Sequence, residues 1–107
     1  MIYEHRICTV IMGKEDEFIA RVNEYLPRFE KYGAKVIGGI FRTIIGDSNE
    51  ISYMLGFDDL AHHQKVWKSM AEDEDLNKMR EKWAKEEFPV HNIRSKILSS
   101  TEYSSSR

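Results

Sequence analysis

Residues 2–11, "IYEHRICTVI", alternate between two side-chain sets and are rich in β-branched and aromatic types, which predicts a strand. From Phe18 the period changes. Phe18, Ile19, Val22, Tyr25, Leu26, Phe29 and Tyr32 recur at helical spacing and form one apolar stripe. "MGKEDE" begins that helix, with Gly13 as a cap and three acids in the first turn, where the helix dipole favours them. Gly33 stops it as a C′ glycine. Pro27 lies inside and predicts a kink or one weakened turn. Residues 35–46, "KVIGGIFRTIIG", predict a second strand that is apolar on both faces. "GDSN" at 46–49 supplies turn chemistry, and 50–57, "EISYMLGF", alternate cleanly, so the two strands are expected to form a hairpin. Asp58 or Asp59 then caps a helix over 60–71, with Leu60, His63, Val66, Trp67 and Met70 on one side. "EDED" at 72–75 interrupts or restarts it, and a helix over 75–87 carries Leu76, Met79 and Trp83. Pro89 ends that helix, and 90–98, "VHNIRSKIL", predict a last strand.

The order β-α-β-β-α(α)-β predicts an α+β fold: two split βαβ units around a central hairpin, giving a ferredoxin-like four-stranded antiparallel sheet with helices on one side. Residues 1–100 are expected to form this single domain. Residues 101–107 form a polar tail, expected to be disordered beyond about Tyr103. Alternation sorts each strand into two faces. Ile51, Tyr53, Leu55 and Phe57 must meet the helices. Sending the more apolar set of every strand to that side leaves Glu4, Arg6, Cys8, Val10, Ser52, Met54, Gly56, Asn92 and Arg94 on the open face, joined by Phe41 or Ile40. That mixture predicts a semi-enclosed cavity closed by a second subunit.

Composition narrows the function classes. With 107 residues there is room for one domain, and the 41% hydrophobic and 32% charged content reads as soluble and globular. A net charge of -2 with interspersed signs gives no field for nucleic acid and no cluster to track phosphates. No apolar run approaches the roughly 18 residues of a membrane span. The N-terminus lacks the pattern of a signal peptide. Cys8, the only cysteine, cannot form an internal disulfide. It reads as a small buried hydrophobe in a reducing, cytoplasmic compartment.

The first strand also holds the candidate chemistry. Glu4 and Arg6 share a face with about 7 Å between Cα atoms. This spacing suits either a carboxylate held by a guanidinium fork to fix register, or an anion anchor (Arg6) beside an acid/base (Glu4). Arg94 is expected to add a second positive charge. His62 and His63 diverge on their helix and cannot chelate one metal. His5 and His91 are placed on the helix side, where they approach His63, but no metal-ligand spacing supports a site. Trp67, Trp83, Tyr25, Tyr32 and Tyr53 fall on stripes that predict core packing rather than ligand stacking. No nucleophile elbow, phosphate loop, dinucleotide fingerprint or zinc spacing is present, so neither a cofactor nor a metal is expected.

"YEHR", "GKEDEF", "LPRFEKYG", "VIGGIFRTIIGDSNEISYMLGFDDLAHHQKVW" and the final "RSKIL" together resemble the NIPSNAP family over about residues 2–98. The resemblance implies a dimeric α+β barrel, in which two ferredoxin-like sheets pack face to face with helices outside. A cleft then lies between each sheet and its own helices or the partner. The superfamily includes small cofactor-free monooxygenases, lactone isomerases and haem-degrading enzymes. The family's Tyr-Glu-x-Arg element falls on Tyr3, Glu4 and Arg6. This chain departs from the pattern at His5 and Ile7, and has Phe41 where a tryptophan is expected. The expected role is binding a small apolar or carboxylated molecule in a homodimer's sheet-lined cleft, with turnover of it left open. Arg6 would anchor an anionic oxygen, Glu4 would be the acid/base, and Phe41, Ser52, Met54, Asn92 and Arg94 would line the site. The alternatives are a cofactor-independent monooxygenase or isomerase, and a non-catalytic interaction module whose cleft is only a dimer interface.

Overall fold

A computed structural model describes residues 1–87 and 89–104. Its elements are β1 (Ile2–Val10), α1 (Glu15–Lys31), β2 (Lys35–Arg42), β3 (Glu50–Phe57), α2 (Leu60–Glu72), α3 (Glu74–Ala84) and β4 (Val90–Ser99). The strands form one sheet in the order β2-β3-β1-β4, antiparallel throughout. This is the ferredoxin-like arrangement that the element order predicts. The molecule is only 18 Å thick along its short axis, the depth of one sheet and one helical layer.

Local chemistry explains the boundaries. At the N-terminus of α1 the Gly13 amide donates to the Glu15 carboxylate, 2.9 Å to one oxygen. Three acids fill that first turn, as the dipole favours. Pro27 sits on the exposed side, and α1 runs through it without ending. Gly33, at φ 107°, closes the helix in the left-handed region that favours glycine. Asp59 caps α2 by accepting from the His62 amide at 2.8 Å. Asp73 ends α2 and begins α3, accepting from the Leu76 amide at 2.8 Å. The same carboxylate accepts from the Tyr32 hydroxyl and pairs with Arg28 at 3.3 Å, which fastens α1 to the α2–α3 joint. The Tyr32 hydroxyl, then the Leu76 amide and the Arg28 charge, hold the Asp73 carboxyl below the usual aspartate range.

The second strand is shorter than the 35–46 predicted. β2 ends at Arg42, and Ile44 and Ile45 stand almost fully exposed in the connection to β3. The register slips between Ile37 and Ile40 because Gly38 and Gly39 bulge out at positive φ. A Cβ on Gly38 would come within 2.7 Å of the Phe41 ring. Residues 101–104 form a turn, in which the Ser104 amide donates to the Thr101 carbonyl at 3.0 Å. The rest of the tail expected to be disordered, 105–107, lies outside the described residues.

The core lies between the sheet and the helices: Cys8, Val10, Phe18, Val22, Leu26, Phe29, Ile51, Tyr53, Leu55, Phe57, Val66, Met70 and Leu76 are all buried. Phe29 is wholly buried and meets Trp67 edge-on at 4.9 Å and Tyr25 at 5.6 Å. Coverage is uneven, because β4 is exposed along nearly its whole length, with Ile93, Ile97 and Leu98 each about 40% accessible.

This membership makes the first strand a correction. Glu4 pairs across from Leu55, Arg6 from Tyr53 and Cys8 from Ile51. Residues directly opposite in an antiparallel pair share a face, so Glu4, Arg6, Cys8 and Val10 point at the helices, not at the open side. Tyr3, His5, Ile7 and Thr9 take the open face beside Glu50, Ser52, Met54 and Gly56. Sorting by apolarity fails here because the two sets of β1 are nearly equal in hydrophobicity, and the Glu4 carboxylate is buried with its acceptor sites filled. The expectation for β3, and for Asn92 and Arg94 on the open side of β4, agrees with the register.

Removing the Phe29 ring leaves a cavity at the centre of this layer. We expect Phe29→Ala to cost about 3–5 kcal/mol, read from the shift of the urea unfolding midpoint.

Candidate functional site

The buried Glu4 carboxylate accepts four side-chain hydrogen bonds. Its Oε1 accepts from His63 Nε2 at 2.8 Å and from Trp67 Nε1 at 2.9 Å, both on α2. Its Oε2 accepts from Ser95 Oγ on β4 at 2.8 Å and from Arg6 Nη1 at 3.1 Å. An ionised carboxylate offers about four acceptor sites, so this one is full. Burial pushes the Glu4 carboxyl up, but the bonds from His63, Ser95 and Trp67 and the Arg6 charge outweigh it and hold the group below the usual glutamate range. A carboxylate in this state is a poor proton acceptor. It binds β1, β4 and α2 together and fixes the direction of Arg6.

Arg6 lies over the Trp67 ring at 5.2 Å and near the Tyr53 ring at 5.8 Å. It forms part of the wall of a cavity of about 260 Å³ between the sheet and the helices. Phe18, Arg21, Val22 and Tyr25 of α1, Tyr53 of β3, Trp67 of α2, Arg80 and Trp83 of α3 and Ile93 of β4 complete it. The lining is mainly aromatic and aliphatic, with three guanidinium groups among the rings. Arg21 lies over Trp83 at 5.4 Å and pairs with Glu86 at 2.7 Å and Glu17 at 3.2 Å. Arg80 Nε donates to the Tyr25 hydroxyl at 3.0 Å, and Tyr25 stacks on Trp83 at 6.2 Å. Burial keeps the Tyr53 hydroxyl protonated, with its pKa raised well above that of an ordinary phenol.

The predicted site residues therefore divide between two faces. Glu4 and Arg6 face the helices and touch each other, while Phe41, Ser52, Met54, Asn92 and Arg94 are on the open side of the sheet. Arg94 pairs there with Glu50 at 2.6 Å and adds no charge beside Arg6. The histidines do not converge. His5 takes the open face, His91 is exposed where β4 departs from its regular register with β1, His62 and His63 both pack on Phe57, and of these two His63 is the one that bonds Glu4. Among the described residues no group of three or more His, Cys, Asp or Glu side chains is arranged to hold a metal. Sequence reasoning missed Arg21, Arg80, Tyr25 and Trp83 as wall residues. Arg21 and Tyr25 lie one helical turn apart, and Arg80 and Trp83 lie three residues apart. Two basic residues beside aromatics at helical spacing were the signal that was present.

A ferredoxin-like sheet whose helices enclose a cavity at one end defines the class: a small α+β domain with its own sheet–helix cleft. The profile of the NIPSNAP family matches residues 3–105, and the chain belongs to that family. No match is found among curated protein sequences. An uncharacterised NIPSNAP domain protein of Burkholderia xenovorans superposes with a TM-score of 0.82 at 20% identity, covering 97% of this chain and 98% of that one. A NIPSNAP family protein of Agrobacterium tumefaciens gives 0.82 at 24% identity, covering 99% and 98%. A putative antibiotic biosynthesis monooxygenase of Nitrosomonas europaea gives 0.66 at 11% identity, covering 94% and 98%. At these identities the likeness is one of fold. No helix among the described residues is long and apolar enough to cross a membrane.

Replacing Glu4 tests its place in this network. Glu4→Gln leaves the Arg6 charge buried without its partner, so we expect a loss on the order of 3–5 kcal/mol, measured by denaturant titration at neutral pH. Because the folded carboxyl sits below its unfolded value of about 4.3, its contribution is complete above that pH and is lost as the pH falls through the folded value. The acid side of the stability curve should therefore be shallower in Glu4→Gln than in the parent.

Proposed function

We propose that this NIPSNAP protein binds a small molecule in the cavity between its sheet and its helices. The observation that carries this reading is the lining, a mainly apolar wall of five aromatic side chains and two aliphatic ones into which a few polar groups project. Binding sites commonly have this composition, and a volume of 260 Å³ stands just below the lower end of roughly 300 Å³ for ligand pockets. In this reading Arg6 is the anchor for an anionic oxygen, and Glu4, its acceptor sites filled, is the positioning residue that aims it.

The open face belongs to the assembly. Two copies are proposed to pack their sheets together there, bringing Phe41, Ser52, Met54, Asn92 and Arg94 into the interface. Phe41 is half exposed, and Ile7, Ile37, Met54 and Leu98 share its side of the sheet. Sedimentation equilibrium should give twice the chain mass, and Phe41→Glu should move it toward one chain mass.

Trp67 and Trp83 are the chain's only tryptophans, and both line the cavity, so indole fluorescence reports occupancy. Titration with 4-bromobenzyl alcohol, a neutral ring whose bromine quenches indole on contact, should give saturable quenching. Ile93→Phe, at the exposed lip on β4, should weaken it without changing the far-ultraviolet circular dichroism. Quenching that rises linearly and never saturates would remove the cavity as a binding site.

A further inference from the structure

The guanidinium groups around the cavity are not equally compensated. Glu4 neutralises Arg6, and Glu17 and Glu86 neutralise Arg21. Yet Arg6 Nε and Arg21 Nη1 are both buried and have no hydrogen-bond acceptor among the described residues. Buried donors are nearly always paired, and leaving one unpaired costs about 1–3 kcal/mol. Here two orphaned donors belong to two side chains of one wall. Arg80 presents a third imbalance. Its partners are the Tyr25 hydroxyl and the Asn77 side-chain oxygen at 3.1 Å, both neutral, and no carboxylate among the described residues pairs with it. The cavity lining therefore carries three guanidinium groups and no carboxylate, because Glu4, Glu17 and Glu86 are not among the residues that line it.

The rings define the rest of the ligand. Each guanidinium lies over an aromatic face: Arg6 on Trp67, Arg21 on Trp83, Arg80 on Tyr25. Cation–π contacts of this kind keep the charges beside the rings of the wall, and the rest of the lining is apolar. A bare inorganic anion would answer the charge of the wall but leave that space unfilled. A neutral hydrocarbon would fill the space and leave the three guanidinium groups facing no anion.

We propose that the cavity takes a small organic anion with a flat, unsaturated body, its carboxylate or enolate oxygens accepting from Arg6 and Arg21 beside the uncompensated Arg80. This rests on the cavity being a binding site with Arg6 as its anchor, and adds Arg21 and Arg80 to the recognition of the anion and a flat shape to what enters. A guanidinium–carboxylate contact in a site sheltered from water is a charge-assisted hydrogen bond, stronger than its neutral counterpart.

The test uses one ring with three charges: 4-bromobenzoate, 4-bromobenzyl alcohol and 4-bromobenzylammonium, each titrated into the intact protein by calorimetry at neutral pH, with indole quenching as the second readout. We expect the carboxylate to bind roughly tenfold more tightly than the alcohol, the worth of one hydrogen bond to a charged group, and the ammonium to bind least. Arg80→Met should reduce the ratio of carboxylate to alcohol affinity. Arg21→Lys keeps the charge facing Glu86 but removes the planar guanidinium fork from the wall, and should also reduce it. If the alcohol or the ammonium binds as tightly as the carboxylate, the anion inference falls and the cavity reading stands. If the carboxylate preference survives both variants, the arginines are not its cause and the inference falls. If none of the three binds at millimolar concentration, both readings fall together.

Discussion

A single buried carboxylate organises the interior of this protein. Glu4 sits in the middle of a sheet that otherwise turns Ile51, Leu55, Phe57 and Cys8 toward its helices. A charge placed there without partners would be strongly unfavourable, so its four donors have to be present whenever the layer closes. They come from α2, β4 and the neighbouring Arg6. The position of α2 over β1 is thus fixed by directional bonds as well as by packing. Arg6 is held against Trp67, and the cavity wall inherits its geometry from the same network. Buried pairs of this kind are weak contributors to net stability and stronger ones to a unique arrangement, which matches a carboxylate that connects three elements and has no lone pair to spare.

The cavity follows from how unevenly the helices cover the sheet. α1 and α2 close over the centre, where Phe29, Val66 and Met70 fill the space completely. Toward β4 there is no comparable cover, and α3 approaches with long side chains, Arg80 and Trp83, rather than with a flush apolar stripe. Large rings and guanidinium groups cannot interdigitate as closely as aliphatic side chains, so a gap persists among them. The same side chains that leave the space open also supply what a ligand would meet there.

Much of the fold was legible in the sequence, because its signals were local. The stripe from Phe18 to Phe29, the glycine stop at Gly33, the carboxylates at Asp59 and Asp73 and the clean alternation of β3 each act within a few residues, and each marks an element. The "KVIGGIFRTIIG" run was read too long because Gly38 and Gly39 form a bulge rather than regular strand, and because Ile44 and Ile45 are apolar but exposed. The site was less legible. Glu4 and Arg6 were picked out by their shared face, yet placed on the wrong side of the sheet. Polarity alone cannot tell a solvated carboxylate from a buried one whose donors, His63, Trp67 and Ser95, lie 59 to 91 residues away. Arg21, Tyr25, Arg80 and Trp83 meet only through the packing of α1 against α3, and that contact leaves no period in the chain.

Cys8 sits directly across from Ile51 on the covered face of β1, wholly buried, and burial pushes its thiol up to about 11. The reactive thiolate is therefore scarce at neutral pH, and no reagent reaches it while the sheet is closed. Since it is the chain's only sulfhydryl, alkylation proceeds only through molecules in which the helices have lifted from β1. Under conditions where the label outpaces reclosing, the rate of modification equals the rate of opening, so the protein carries a chemical clock for its own unfolding at the centre of its core.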